Sequence, residues 1–125
     1  MSNFWKNKNV SITGGSGFLG KHVRNRLEQR NCKKISIVDH KKYNLVDFRD
    51  VQRMYDDQKP DIVFHLAAVV GGIGINQKNP GKFFYENAMI NLQVIHGAYL
   101  NKVEKIISIG TVSVYPKNAS LPFNE

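Results

Sequence analysis

Cysteine is almost missing from this chain: Cys32 stands alone among 125 residues. A lone thiol excludes an internal disulfide and fits a reducing, cytoplasmic setting, so the fold must be held by its core. No apolar run approaches the roughly 18 residues that a membrane-spanning helix needs. The first residues, Met1 to Lys6, lack the apolar stretch of a secretory leader. No cluster of metal-ligating residues, internal repeat or low-complexity segment is evident. Acidic side chains are scarce beside basic ones, 10 against 18, for a formal charge of +8. That balance suits anionic ligands. The cations are scattered, however (Lys6, Lys8, Lys21, Arg24, Arg26, Lys33, Lys34, Lys41, Lys42), and no block of five or six forms. With no zinc or recognition-helix pattern either, nucleic acid ranks last among possible partners. What is present is 42% hydrophobic residues, enough for the core of one domain.

That domain is organised around Val10-Ser11-Ile12-Thr13-Gly14-Gly15-Ser16-Gly17-Phe18-Leu19-Gly20. Val10, Ile12 and Thr13 read as a short buried strand. Gly14, Gly15 and Gly17 make a turn, and Phe18 and Leu19 open a helical pattern that continues through Val23 and Leu27. Strand, glycine turn and helix, with glycines spaced T-G-x-x-G-x-x-G, is the order that holds a pyrophosphate. Gly14 permits the tight turn, Gly17 lets the backbone approach the phosphates, and Gly20 lets the helix pack on the strand. The helix N-terminus offers unpaired N–H groups to the anion.

The rest of the chain alternates. A helix is expected over Phe18 to Arg30 with Asn31 ending it, a strand over Lys34 to Asp39, and a helix over Phe48 to Gln58 capped by Asp47. Lys59-Pro60 stops that helix, and the near-continuous apolar run Asp61 to Ala68 reads as a parallel strand covered on both faces. Within it His65 reads as a packed core residue, and Ala67 and Ala68 leave room for a flat ligand. Residues 69 to 76 read as a glycine-rich loop. A long helix over Pro80 to Asn101 follows, with Phe84, Ala88, Asn91, Ile95 and Ala98 on one face, and then a strand over Lys105 to Gly110. Phe4 and Trp5 are packing anchors in a polar lead-in. The expectation is an α/β fold: a Rossmann-type, doubly wound parallel sheet. Asp39, about twenty residues past the glycine turn, suits the adenosine ribose of NAD. His40, Lys41 and Lys42 suit the 2′-phosphate of NADP. The residues leave NAD and NADP both open.

Taken together the residues resemble the extended short-chain dehydrogenase/reductase (NAD-dependent epimerase/dehydratase) family, and within it the GDP-L-fucose synthases. The resemblance rests on the glycine motif, on H-L-A-A-V-V-G-G-I-G-I-N at 65 to 76, on N-P-G-K-F-F-Y-E-N at 79 to 87, and on S-V-Y-P-K at 113 to 117. It runs through almost the whole chain but covers the N-terminal, cofactor-binding half of such an enzyme.

The resemblance implies that Gly14, Ser16, Gly17, Phe18 and Leu19 hold the pyrophosphate. It implies that Asp39, His40 and Lys41 meet the adenosine ribose, with a lean towards NADP, and that Asn44 and Leu45 border the adenine. Ala67, Ala68 and Val70 would line the nicotinamide side. Thr111 falls where the family has its catalytic serine or threonine, and Asn87 where it has a structural asparagine. Ser113 falls where the GDP-L-fucose synthases carry a cysteine base, which puts 3,5-epimerisation in question but not hydride transfer. The implied activity is reduction of a GDP-4-keto-6-deoxy sugar at C4. The family's tyrosine–lysine pair and its substrate domain would follow Glu125, so the chain is expected to be a truncated, by itself inactive part that forms a homo-oligomer, with the last strand as an open edge. The rival reading is a non-catalytic dinucleotide-binding module.

Overall fold

The structure is a computed structural model. It describes residues 3–111, 115–116, 118–120 and 122, with Ile73 and Asn76 described for their backbone alone. A single 3-10 segment, Asn3–Asn7, leads into β1 (Asn9–Thr13), α1 (Phe18–Gln29), β2 (Lys34–Val38), α2 (Phe48–Gln58), β3 (Ile62–His65), α3 (Ile73–Lys78), α4 (Pro80–Leu100) and β4 (Lys105–Ser108). The four strands form one parallel sheet in the order β2-β1-β3-β4. The chain therefore moves outward from β1 to β2 and then crosses back to the other side of β1. A crevice opens where that reversal separates the strand ends, between β1 and β3.

Alternation along each strand sorts the core into two layers. Val10, Ile12, Ile62, Ile35, Ile37 and Phe64 face α1 through Val23 and Leu27, with Trp5 packed in as an anchor and stacked on Phe64. Val38, Val63 and Ile106 face the other way, onto Val51, Met54 and Tyr55 of α2 and Ile90, Val94 and Ala98 of α4. Burying each large side chain here stabilises the fold by about 1.5–3 kcal/mol. The buried Tyr55 hydroxyl donates to the Val94 carbonyl at 2.7 Å, and burial raises its pKa further.

Helix ends follow local chemistry. Asp47 caps α2 by accepting the Arg49 N–H at 2.8 Å. Asn31 ends α1 in the left-handed region (φ 54°). Its N–H reaches the Glu28 carbonyl and that of Cys32 reaches Leu27, the paired bonds of a Schellman turn.

Three expectations are corrected. The third strand stops at His65 rather than Ala68, because beyond it the chain turns its N–H groups onto the end of β1. The segment 69 to 76 is not all loop: α3 begins at Ile73 behind an extended Gly72. The buried face of α4 is Ile90, Gln93, Val94, Gly97 and Ala98, while Phe84 is 78% exposed. This helix is apolar on every side, so periodicity alone selects no face.

His65 sits deep between the layers, 2% exposed. The Thr13 hydroxyl accepts the backbone N–H groups of Leu66 and Ala67, each at 3.1 Å. It lies 2.7 Å from His65 Nδ1. With both lone pairs engaged, the hydroxyl must donate to Nδ1, so the ring proton resides on Nε2. Burial holds the His65 pKa below its ordinary value, against a smaller upward pull from Asn91. A histidine kept neutral in the fold binds its proton more readily when unfolded. Stability is therefore full above the unfolded pKa of about 6.5 and declines as pH falls below it. The thermal midpoint should drop between pH 7 and pH 5, and His65→Gln should remove most of that slope. The same slope in the variant would assign the titration to another group.

Candidate nucleotide-binding site

The glycine turn is built by close approach. Gly14 has φ +67°, and a Cβ there would stand 2.9 Å from the peptide joining Leu66 to Ala67. A Cβ on Gly20, in the first turns of α1, would stand 2.4 Å from the Gly14 carbonyl oxygen. Both positions exclude any side chain. The helix therefore rests directly on the turn. Gly17 occupies its N-cap position with no side-chain cap, so the N–H groups of the first turn are left without intrahelical partners.

This turn forms one wall of a cavity of about 630 Å³ at the C-terminal edge of the sheet. Gly14, Ser16 and Gly17 line it there. Val38 and His40 line it at the end of β2, Tyr43 to Val46 in the next loop, Leu66 to Val70 beyond β3, and Glu86 and Ile90 from α4. Two tethers fix the walls. The Asn87 amide donates to the Val69 carbonyl at 2.9 Å and accepts the Val69 N–H at 2.8 Å. Gln93 donates to the Val46 carbonyl.

The charged groups beside β2 divide into engaged and open ones. The Tyr43 hydroxyl and Lys42 both bind Asp57, at 2.6 and 3.1 Å, and hold its carboxyl below the usual range. Arg53 binds Asp50 and the Lys42 carbonyl. Asp39 accepts the Lys41 N–H at 2.9 Å, an Asx turn that folds the loop back on itself. His40 and Lys41 are exposed, and among the described residues Lys41 makes no ion pair.

A shaped, largely apolar cleft with an uncapped helix end at one side and basic groups at another suits a dinucleotide. Comparison with known proteins decides the family. The model of the NAD dependent epimerase/dehydratase family matches residues 10–125. The chain belongs to that family. It is 37% identical to the GDP-L-fucose synthase of Escherichia coli (strain K12) over 116 residues, 93% of this chain and 36% of that one. It is 30% identical to a GDP-mannose 3,5-epimerase of Arabidopsis thaliana, of which it covers 34%. Among solved structures, a GDP-mannoheptose C4 reductase from Campylobacter jejuni with NADP bound superposes with a TM-score of 0.87 at 30% identity, over 95% of this chain and 38% of the other. The chain thus spans a little over a third of the length of these relatives.

As a member of this family the chain has a cleft that fits its dinucleotide: a cradle any Cβ would fill, and a floor of small residues. Of the expected residues, Gly14, Ser16, Gly17, His40, Asn44, Leu45, Ala67, Ala68 and Val70 line the cavity together. Phe18 and Leu19 do not; their side chains point to solvent on α1, and what they offer is backbone N–H. Asp39 and Lys41 stand just outside the lining. Thr111 lies beyond the end of β4, exposed, and is not among the residues that line this cavity. Ser113 lies outside the described residues. Sequence reasoning missed Val38, Tyr43, Val46, Leu66, Val69, Glu86 and Ile90. For Glu86 no signal existed, since a glutamate on an exposed helix turn reads as a solvated face.

Gly20→Ala should force the turn and helix apart. The expected cost is about 1–3 kcal/mol in stability, seen as a lower thermal midpoint, together with loss of dinucleotide binding by calorimetry. Unchanged binding would show that the cradle tolerates the displacement.

Proposed function

We propose that this chain is the cofactor-binding part of an NADP-dependent nucleotide-sugar reductase that reduces a GDP-4-keto-6-deoxy sugar at C4. The observation that carries this is the cavity at the β1/β3 reversal, which joins the glycine cradle to the His40–Val46 loop. The relatives named GDP-L-fucose synthase and GDP-mannoheptose C4 reductase support a GDP-sugar as substrate.

In this reading the first-turn N–H groups of α1 and the Gly14–Gly17 backbone bind the pyrophosphate. Ala67 and Ala68 give the floor on which planar groups lie, and Asn87 holds Val69 and its loop in place. Bound NADPH supplies the hydride. Thr111, from the end of β4, holds the sugar's carbonyl oxygen by a hydrogen bond.

The charge arrangement favours NADP over NAD. Asp39, the natural partner of an unmodified ribose, has a carboxylate oxygen engaged by the Lys41 N–H. His40 and Lys41 stay exposed to meet a 2′-phosphate. Calorimetric titration should show NADPH binding about tenfold or more tighter than NADH, with Lys41→Ala removing most of the difference. A preference for NADH would assign Asp39 to the ribose instead. Binding of neither would refute the chain as an autonomous cofactor site.

The functional unit is a homo-oligomer paired through α4. Tyr85, Ala88, Leu92, Ile95 and Tyr99 follow the 3-4-3-4 spacing of a helix-pairing seam. The large ones are exposed, Leu92 at 65% and Tyr99 at 78%. At about 200 Å² for each large side chain the exposed parts of the seam offer roughly 500 Å², the greater part of the roughly 800 Å² each partner buries in a standard interface. In a twofold antiparallel pair centred on Leu92, Tyr85 of one copy meets Tyr99 of the other. Leu92→Glu should shift the chain to monomer in sedimentation at concentrations where the unmodified chain associates. Association unaffected by the glutamate would place the contact elsewhere, the β4 edge first.

A further inference from the structure

We propose that Glu86 reads the base of the bound dinucleotide, its carboxylate accepting a hydrogen bond from the exocyclic amino group of adenine. The inference rests on the cofactor reading above and assigns one more residue to it. Glu86 and Ile90 lie one turn apart on α4 and both line the cavity. Ile90 packs in one cluster with Val38, Tyr43 and Leu45, the residues at the end of β2 and in the loop after it. Gln93, the next turn along, is bonded to the Val46 carbonyl. Asn87, beside Glu86, is bonded to Val69 on the opposite wall. These contacts place Glu86 at the mouth of the cleft between the Asn44–Val46 loop and Val69, at the adenosine end.

Of the polar side chains that line the cleft beside Glu86, Asn44 and Tyr43 already hold partners within the chain. The Asn44 amide oxygen accepts the Val46 N–H at 3.1 Å, and its backbone N–H goes to Asp50. The Tyr43 hydroxyl is given to Asp57. The Glu86 side chain is 27% exposed, and no described residue donates a hydrogen bond to it. Its ion-pair partner, Lys82, stands 3.9 Å away on the solvent side. A half-buried carboxylate facing an apolar cleft is best served by a ligand donor, and the amino group is the donor that an adenine edge presents. A charged acceptor makes the stronger class of hydrogen bond.

The test compares NADPH with its hypoxanthine analogue, in which a carbonyl oxygen replaces the amino group, by calorimetric titration of the whole chain. The unmodified chain should bind the analogue about tenfold or more weakly, since a carbonyl oxygen facing a carboxylate leaves both unpaired. Glu86→Ala should lower NADPH affinity to near that of the analogue. Glu86→Gln, whose amide both accepts and donates, should narrow the difference between the two. Equal binding of both nucleotides by the unmodified chain, or an equal loss for both in Glu86→Ala, overturns the inference and leaves the cofactor reading standing. Failure of the unmodified chain to bind NADPH at all overturns the cofactor reading, and this inference with it. Circular dichroism of both variants separates loss of recognition from loss of fold.

Discussion

At the C-terminal ends of β1 and β3 two backbone segments meet in direct contact, and most of the site depends on that meeting. The Thr13 hydroxyl accepts the Leu66 and Ala67 N–H groups and engages His65, so four residues share one oxygen-centred knot. Gly14 then passes so close to the Leu66–Ala67 peptide that no side chain fits between them. The knot satisfies the Ala67 N–H once β3 has ended and shares the Leu66 N–H with the Thr13 carbonyl, a need that is costly to leave unmet in a buried place. It also decides where Ala67 and Ala68 lie relative to the glycine turn, and so the floor of the cleft.

The second constraint is α4. The helix binds both walls of the cleft, Val69 through Asn87 and Val46 through Gln93, while Tyr55 of α2 bonds back to its Val94 carbonyl. A helix held at three places by polar bonds within an apolar surround has one seating. That rigid seating is what allows a residue such as Glu86 to act as a fixed acceptor rather than a mobile surface charge.

The basic excess of the chain is less available than the count of cations implies. Arg24 pairs with Glu28, Lys42 with Asp57 and Arg53 with Asp50, and Lys8 pairs with Glu104 across the sheet. Exposed pairs of this kind add little to stability. Their effect is selection: near the end of β2, neutralised neighbours leave Lys41 as a cation without an ion pair among the described residues.

Where the information was local, the sequence was sufficient by itself. The strand–glycine–helix unit, the Asp47 cap, the Asn31 terminator and the parallel alternation all depend on residues within a few positions of one another, and α2 spans Phe48–Gln58 as its pattern required. Tertiary structure decided what depends on partners distant in the chain. The buried side of α4 was undetermined because the helix is apolar all round, and only its seating on Val63, Tyr55 and Leu45 selects a face. Glu86 was invisible because burial and the absence of a donor are properties of the assembled walls. Short-range hydrogen bonding and steric exclusion are written in neighbouring residues; which polar groups remain unpaired is known only once the chain has folded and the others have found their partners.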